Sequence, residues 1–413
     1  MLVSLLNSLA LAVLAASQLA AAGADEKAPE QLVRSGYQRI LTAYEQNWPQ
    51  NPEALQAEVR ETLRHLLDLE RLAPQLLHKH WQKMTPYDRQ RFVEALTNSL
   101  TRKVMDEIAA YSQQSRETVP ELRIAEVERK RNASSVKAVL QGPKSEKKLT
   151  FSILHYADGR LKITDIEVGG KKLRSEYYRF CKKILDDYSP TYLIAELNED
   201  DYVILENFEG GEVGQLPPGW TWKKSDNDKN KPYKIVEENG NKYLQARDNG
   251  ESVILGKEVK WNLRKYPYIS FRWRVHKIPA GGDERYGKTN DSAAAVYIIY
   301  KKKFGLIPES VKFLWSTTLP VGAYTRRSGT GRPWNIVVES GEKHLGEWRT
   351  YTFNAYEAYK KTFGGKPPDR PVGIAILSDA NSTHSQAYAD YDDIMVLKKA
   401  NADSGARKHL QAE

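Results

Sequence analysis

The stretch "GRLKITDIEVGGKKLRSEYYRF", residues 159–180, decides the fold of the first half of this chain. Alternation from Leu161 predicts a β-strand, with Leu161 and Ile163 pointing one way and Lys162, Thr164, Ile166 and Val168 the other. Gly169-Gly170 reads as a tight turn and "LRSEYYRFCKKILDDY" as a helix. Asp165 and Glu167 fall on the Leu161/Ile163 side, where a continuing core needs apolar groups. Two readings stand: the strand leaves the core there, or Asp165 marks the polar end of an apolar space.

Working outward, "LTFSILHY" (149–156) places Phe151 and Ile153 on one face, and the short "ADGR" turn lets this strand pair with the next as a hairpin. Segments near 121–130 and 135–141 also alternate, which completes a small antiparallel sheet. Residues 30 to 112 read as helices. In "TPYDRQRFVEALTNSLTRKVMDEIAAY", Thr85, Pro86 and Asp88 resemble an N-cap, an N1 proline and an acid at N3. Phe92, Leu96, Leu100, Val104 and Ile108 then recur every four residues. The leucine-rich segment before it is interrupted at Pro74, which is expected to start a second short helix. Helices packed on a small antiparallel sheet make residues 25–200 one α+β domain.

From about residue 201 the texture is all-β. Seven of nine tryptophans and 14 of 23 tyrosines lie there, residue types suited to pleated surfaces. In "YISFRWRV", Ile269, Phe271, Trp273 and Val275 alternate with polar residues, and "SVKFLWS", "NIVVES", "WRTYTF", "VGIAILS" and "ADYDDIMVL" continue the series. This many short strands implies an antiparallel, jelly-roll-like β-sandwich over 201–398, with a disordered tail at 399–413.

The formal net charge of +9 is uneven: residues 25–200 hold 29 basic and 27 acidic side chains, so most of the excess lies beyond them. It is scattered rather than clustered, which argues against a nucleic-acid partner. The first 24 residues carry no charged side chain and end in Ala22-Gly23-Ala24. A short apolar run with a small-x-small end fits a secretory signal peptide, although the usual basic residue before it is missing. Cys181 is the single cysteine, so no intramolecular disulfide forms; an exported chain of this kind suits a bacterial periplasm.

Catalytic signatures are missing: no G-x-S-x-G elbow, Walker loop, dinucleotide fingerprint, C-x-x-C or H-E-x-x-H occurs. His78 and His80, two apart on an expected helix, face nearly opposite sides. The acidic stretch "SDANSTHSQAYADYDDI" is the densest in chemistry. Asp379, Asp390, Asp392 and Asp393 admit three readings: turn capping, a structural calcium site, or acid/base work on a glycosidic bond. Asp390, Asp392 and Asp393 are the candidate calcium ligands.

The opening stretch, with "LDLERLAPQLLHKHWQKMTPYDRQRFVEAL" upstream, resembles MlaC-like proteins of the toluene-tolerance family. Its matching features are Asp68, Leu77, Trp81, Thr85-Pro86, Arg89-Gln90-Arg91, Phe92, Asp165, Gly169-Gly170, Leu173 and the Tyr177–Phe180 run. Departures are His78 in place of the family's glycine and Lys172 in place of its serine. The resemblance covers about residues 30–198. It implies a periplasmic phospholipid carrier of the Mla lipid-asymmetry system, working with an inner-membrane ABC transporter complex and an outer-membrane lipoprotein complex. Phospholipid is then cargo and no cofactor is needed. "ISFRWRVHKIP", "NDSAAAVYIIY" and "VVESGEKHLGEWRTY" resemble a bacterial domain family of unknown function.

A carrier needs a dry cavity and no catalyst. The expected lipid-contacting residues are Phe92, Leu96 and Leu100 of the helical stripe with Phe151, Ile153, Leu161 and Ile163 of the hairpin. An aspartate at 153 or 163 would be hydrated in an open cavity but unpaired in a closed core. The rival expectation is a glycan-binding or glycan-active protein acting through the sandwich.

Overall fold

Thr85 opens the longest helix, Pro86–Gln114. Its hydroxyl accepts the Asp88 N–H and donates to the Asp88 carboxylate, both at 3.0 Å, which satisfies a first-turn donor that the helix itself leaves open. Phe92, Leu96, Leu100, Val104 and Ile108 are all buried along it, as their spacing requires. The structure is a computed structural model and describes residues 27–114, 121–142, 146–222, 232–303 and 307–400. The expected signal peptide and the tail beyond residue 400 lie outside the described residues.

The chain divides into two compact units, Met1–Met84 with Arg89–Ile184 and Thr85–Asp88 with Leu185–Glu413. In the first, helices Ala28–Asn47, Pro52–Leu66, Leu69–Leu77, Lys79–Lys83 and Leu173–Leu185 accompany the long helix. Its sheet runs in sequence order: β1 (Glu121–Lys130), β2 (Ala133–Gln141), β3 (Glu146–His155), β4 (Leu161–Val168) and β5 (Lys171–Lys172), each pair antiparallel. Gly169 and Gly170 join β4 to β5 with φ of 55° and 80°; a two-residue hairpin of this type needs positive φ at both positions.

One expectation fails here. Pro74 does not start a helix; it sits inside Leu69–Leu77. The break comes earlier, where Asp68 caps Leu69–Leu77 by accepting the Arg71 N–H and sends its own N–H to the Ile163 carbonyl at 2.9 Å. A cap and a tie to β4 outweigh the one backbone bond that Pro74 forfeits.

The second unit begins with helix Pro190–Asn198, which packs on β6 (Tyr202–Glu206). The strands that follow are β7 (Trp220–Thr221), β8 (Tyr233–Glu238), β9 (Asn241–Asp248), β10 (Leu255–Glu258), β11 (Tyr268–Lys277) and β12 (Ser292–Lys303). Then come β13 (Ile307–Ser316), β14 (Tyr324–Thr325), β15 (Trp334–Ser340), β16 (Arg349–Asn354), β17 (Gly373–Asp379) and β18 (Ala387–Leu397). They form a β-sandwich of a seven-stranded sheet, β14-β15-β13-β12-β17-β10-β7, and a six-stranded sheet, β16-β11-β18-β9-β8, with β6 also paired to β18. Aromatic rings join the sheets: Phe313 stacks on Phe353 at 5.1 Å, and Tyr391 bonds Ser378 across the interior at 2.7 Å.

Two features depart from the antiparallel strand series expected beyond residue 201. β13 and β15 pair in parallel, because the long connection between them crosses over instead of turning back. Ala355–Phe363 is a helix, capped by Asn354, which accepts the Glu357 N–H at 2.9 Å.

Candidate functional site

The inner face of the first sheet is built from three rows that run across its strands. Val136 opposes Phe151, which opposes Ile166; Ala138 opposes Leu149, which opposes Val168; Ser134 opposes Ile153, which opposes Ile163. Every one of these side chains is buried. Of the expected lipid-contacting residues, the register therefore brings Phe151, Ile153 and Ile163 together on one face. Leu161, opposite His155 at the strand's start, is half-buried.

This register corrects the expected faces of β4. The pairing steps from Ser152–Asp165 to Ile153–Ile163 and leaves Thr164 without an opposite residue. That one-residue bulge reverses the alternation beyond it, so Ile166 and Val168 join Ile163 on the buried side. Asp165 is buried at 8 % exposure. Its Oδ1 accepts the N–H of Ile166 at 3.0 Å and that of Arg174 at 3.1 Å. Arg174 lies in the first turn of helix Leu173–Leu185, so the acid caps a helix start from a neighbouring strand, and the helix dipole favours its negative charge. It does not carry the strand out of the core.

Phe92, Leu96 and Leu100 are 0 % exposed, Ile153 is 1 % and Phe151 and Ile163 are 3 %. Trp81 meets Phe92 edge-on at 6.4 Å. Ser99 of the long helix bonds the Tyr177 hydroxyl at 3.1 Å. At one edge, β4 is tied down: Leu67 bridges Ile163, Lys162 donates to the Arg64 and His65 carbonyls, Tyr156 bonds Asp68, and Arg174 bonds Gln75.

Sequence reasoning passed over Glu107, which lies three residues past Val104 and so within the arc of the buried stripe. Burial pushes its carboxyl up to about 7, against the opposing charge of Lys147. Burial also lowers the Lys147 ammonium. His78 holds φ at 47° between two helices and rests its ring 5.0 Å from Tyr178. The expected single helix through His78 and His80 is thus broken at His78 itself.

In the sandwich the acidic cluster is engaged by protein groups. Asp390 accepts from Arg247, Arg274 and His276 at 2.7–3.0 Å. Burial raises its carboxyl, but the His276 hydrogen bond and the Arg247 charge more than offset that and hold it below the usual range. Asp392 accepts from Asn241 at 2.9 Å and from Arg272, whose Nε lies 2.8 Å from Asp393. Asp379 accepts the Ser292 N–H and the Ser252 hydroxyl. A calcium ion at Asp390, Asp392 and Asp393 would sit among guanidinium groups. Among the described residues, no group of three or more His, Cys, Asp or Glu side chains is placed to hold a metal.

The apolar rows under a helical layer occupy the part of the chain that a known family covers. Residues 35–199 match the family described as MlaC protein. The MlaC match supports a lipid-binding protein. Residues 218–395 match a second family, described as a protein of unknown function (DUF3047). No curated protein matches the chain significantly. Among solved structures, a phospholipid-binding protein from Ralstonia solanacearum, in complex with a phospholipid, is similar at 16 % identity. The alignment covers 41 % of this chain and 93 % of that one, with a TM-score of 0.34. A family 30 carbohydrate-binding module from a Clostridium thermocellum cellulase aligns at 14 % identity, covering 46 % and 88 %, with a TM-score of 0.24. Among the described residues, no helix is long and apolar enough to cross a membrane.

Proposed function

We propose that this protein is a non-enzymatic phospholipid carrier of the periplasm. It takes lipid from one membrane and delivers it to another, between an Mla-type inner-membrane ABC transporter complex and an outer-membrane lipoprotein complex. The observation that carries this reading is the MlaC match over residues 35–199, which spans both the helical layer and the apolar rows of β2, β3 and β4. A diacyl lipid has on the order of 30 methylenes, each worth about 0.8 kcal/mol when removed from water, so unaided exit from a bilayer is very slow. A protein that shields the chains removes that barrier without any chemistry on the lipid.

In this reading the acyl chains lie against Phe92, Leu96 and Leu100 of the long helix and the face of Phe151, Ile153 and Ile163. No cofactor enters the cycle, and lipid is released unchanged.

The test is transfer of a fluorescent phospholipid from donor to acceptor vesicles. The rate should rise in proportion to added protein, and lipid recovered afterwards should keep its mass. A rate indifferent to the protein would rule out the carrier reading, and cleaved lipid would rule out the non-enzymatic one.

A further inference from the structure

The outer face of the six-stranded sheet carries an ordered array outside the proposed lipid path. Along β11, Phe271, Trp273 and Val275 turn inward and are fully buried, so Arg272, Arg274 and His276 stand on the other face. Opposite them on β18, Asp392 pairs in register with Arg272 and Asp390 with Arg274. Arg247 of β9 closes on Asp390 at 2.9 Å, and Glu238 of β8 on Arg274 at 3.1 Å. The guanidiniums of Arg272 and Arg274 both lie 4.8 Å from the Trp348 ring centre. Both guanidiniums thus pack against the same indole. Trp348 is half-buried, and Tyr243 meets it edge-on at 5.5 Å. Tyr388, also half-buried, lies beside them over Arg247.

We propose that this face is a binding site for a neutral oligosaccharide, with Trp348 as its stacking platform and the Arg–Asp ladder as its hydrogen-bonding floor. The chemistry of the array selects the ligand class. Guanidinium groups only donate and carboxylate oxygens accept; Asp390 and Asp392, at 0 and 1 % exposure, hold the guanidiniums in place from beneath, while Glu238 and Asp393 keep part of their side chains exposed beside them. A phosphate, which only accepts, meets the carboxyl groups of Asp390, Asp392, Asp393 and Glu238; an ammonium, which only donates, meets the guanidiniums of Arg247, Arg272 and Arg274. Hydroxyls do both, and a sugar ring adds a flat C–H face that suits an indole. Side chains of Arg247, Arg272, Arg274 and His276 keep 30, 27, 15 and 33 % exposure, so part of each remains within reach of solvent.

The experiment is calorimetric titration of the full chain with cellohexaose and with chitohexaose, alongside inorganic phosphate and phosphatidylglycerol vesicles. At least one hexasaccharide should bind. Trp348→Ala should weaken it about tenfold or more, as loss of a central aromatic anchor does, whereas Trp348→Phe, which keeps a ring over the guanidiniums, should stay within about threefold of wild type. If Trp348→Ala fails to fold, Tyr388→Ala on the same face should weaken the sugar by about threefold or more. Failure of both hexasaccharides to bind wild-type protein overturns the proposal, as does sugar affinity unmoved by these substitutions. Trp348-dependent binding of phosphate or of the vesicles would overturn it too, by assigning the face to an anionic ligand.

Discussion

At Thr164 the strand β4 carries one residue more than β3 can pair, and the fate of Asp165 follows from that single insertion. Buried where the alternation turns over, its carboxylate finds two backbone N–H donors, one of them in the first turn of helix Leu173–Leu185. Asp165→Ala should therefore cost about 1–2 kcal/mol, read as a lower urea midpoint with an unchanged slope; no change would mean that the cap contributes nothing. Glu107 offers a test of a different kind. Burial lifts its carboxyl from an ordinary 4.5 to about 7, so the folded state holds a proton there that the unfolded state has already lost. Its contribution to stability is then most favourable below about 4.5 and falls as pH rises through 7. Thermal melts of wild type and Glu107→Gln should diverge across that window, with wild type losing ground as pH rises; parallel curves would remove Glu107 from the account. Residue by residue, the buried stripe of the long helix was legible because Phe92, Leu96 and Leu100 follow the helical period. The bulge was not, because an unpaired residue depends on the register of the partner strand and leaves no mark on its own.

Among the elements, the three rows across β2, β3 and β4 make one buried, mostly apolar face of the first sheet. Ile153 lies in the row that ends at Ile163, 1 % exposed. Ile153→Ala should destabilise lipid-free protein by about 2–4 kcal/mol, measured by urea unfolding, and bound lipid should restore part of the loss by filling the gap. A cost below about 0.5 kcal/mol, the range of surface substitutions, would show that the layer is looser than its burial indicates. The β3–β4 hairpin was readable from its short turn and alternating faces, and the strand series of the sandwich from period-two patterning. Helix Ala355–Phe363 was missed inside that series, although Asn354 with Glu357 three residues on is a capping signal, and Ala355, Ala358, Tyr359 and Thr362 share helical spacing. The parallel β13–β15 pair had no local signature, since only the length of the intervening crossover hints at it.

For the whole molecule, an α+β unit and a β-sandwich sit on one chain, and each was visible in a change of residue texture near position 200. What the texture could not supply was which polar groups meet. The Arg–Asp ladder on β11 and β18 is made by strands more than a hundred residues apart in sequence, so Asp390 and Asp392 looked like free carboxylates until Arg272 and Arg274 were placed beside them. Protein purified without detergent should be extracted with organic solvent and the extract analysed by mass spectrometry. Intact phospholipid, at a stoichiometry approaching one per chain and reduced in Ile153→Asp protein, is the predicted result; repeated extracts of well-folded protein that contain no acyl lipid would contradict it.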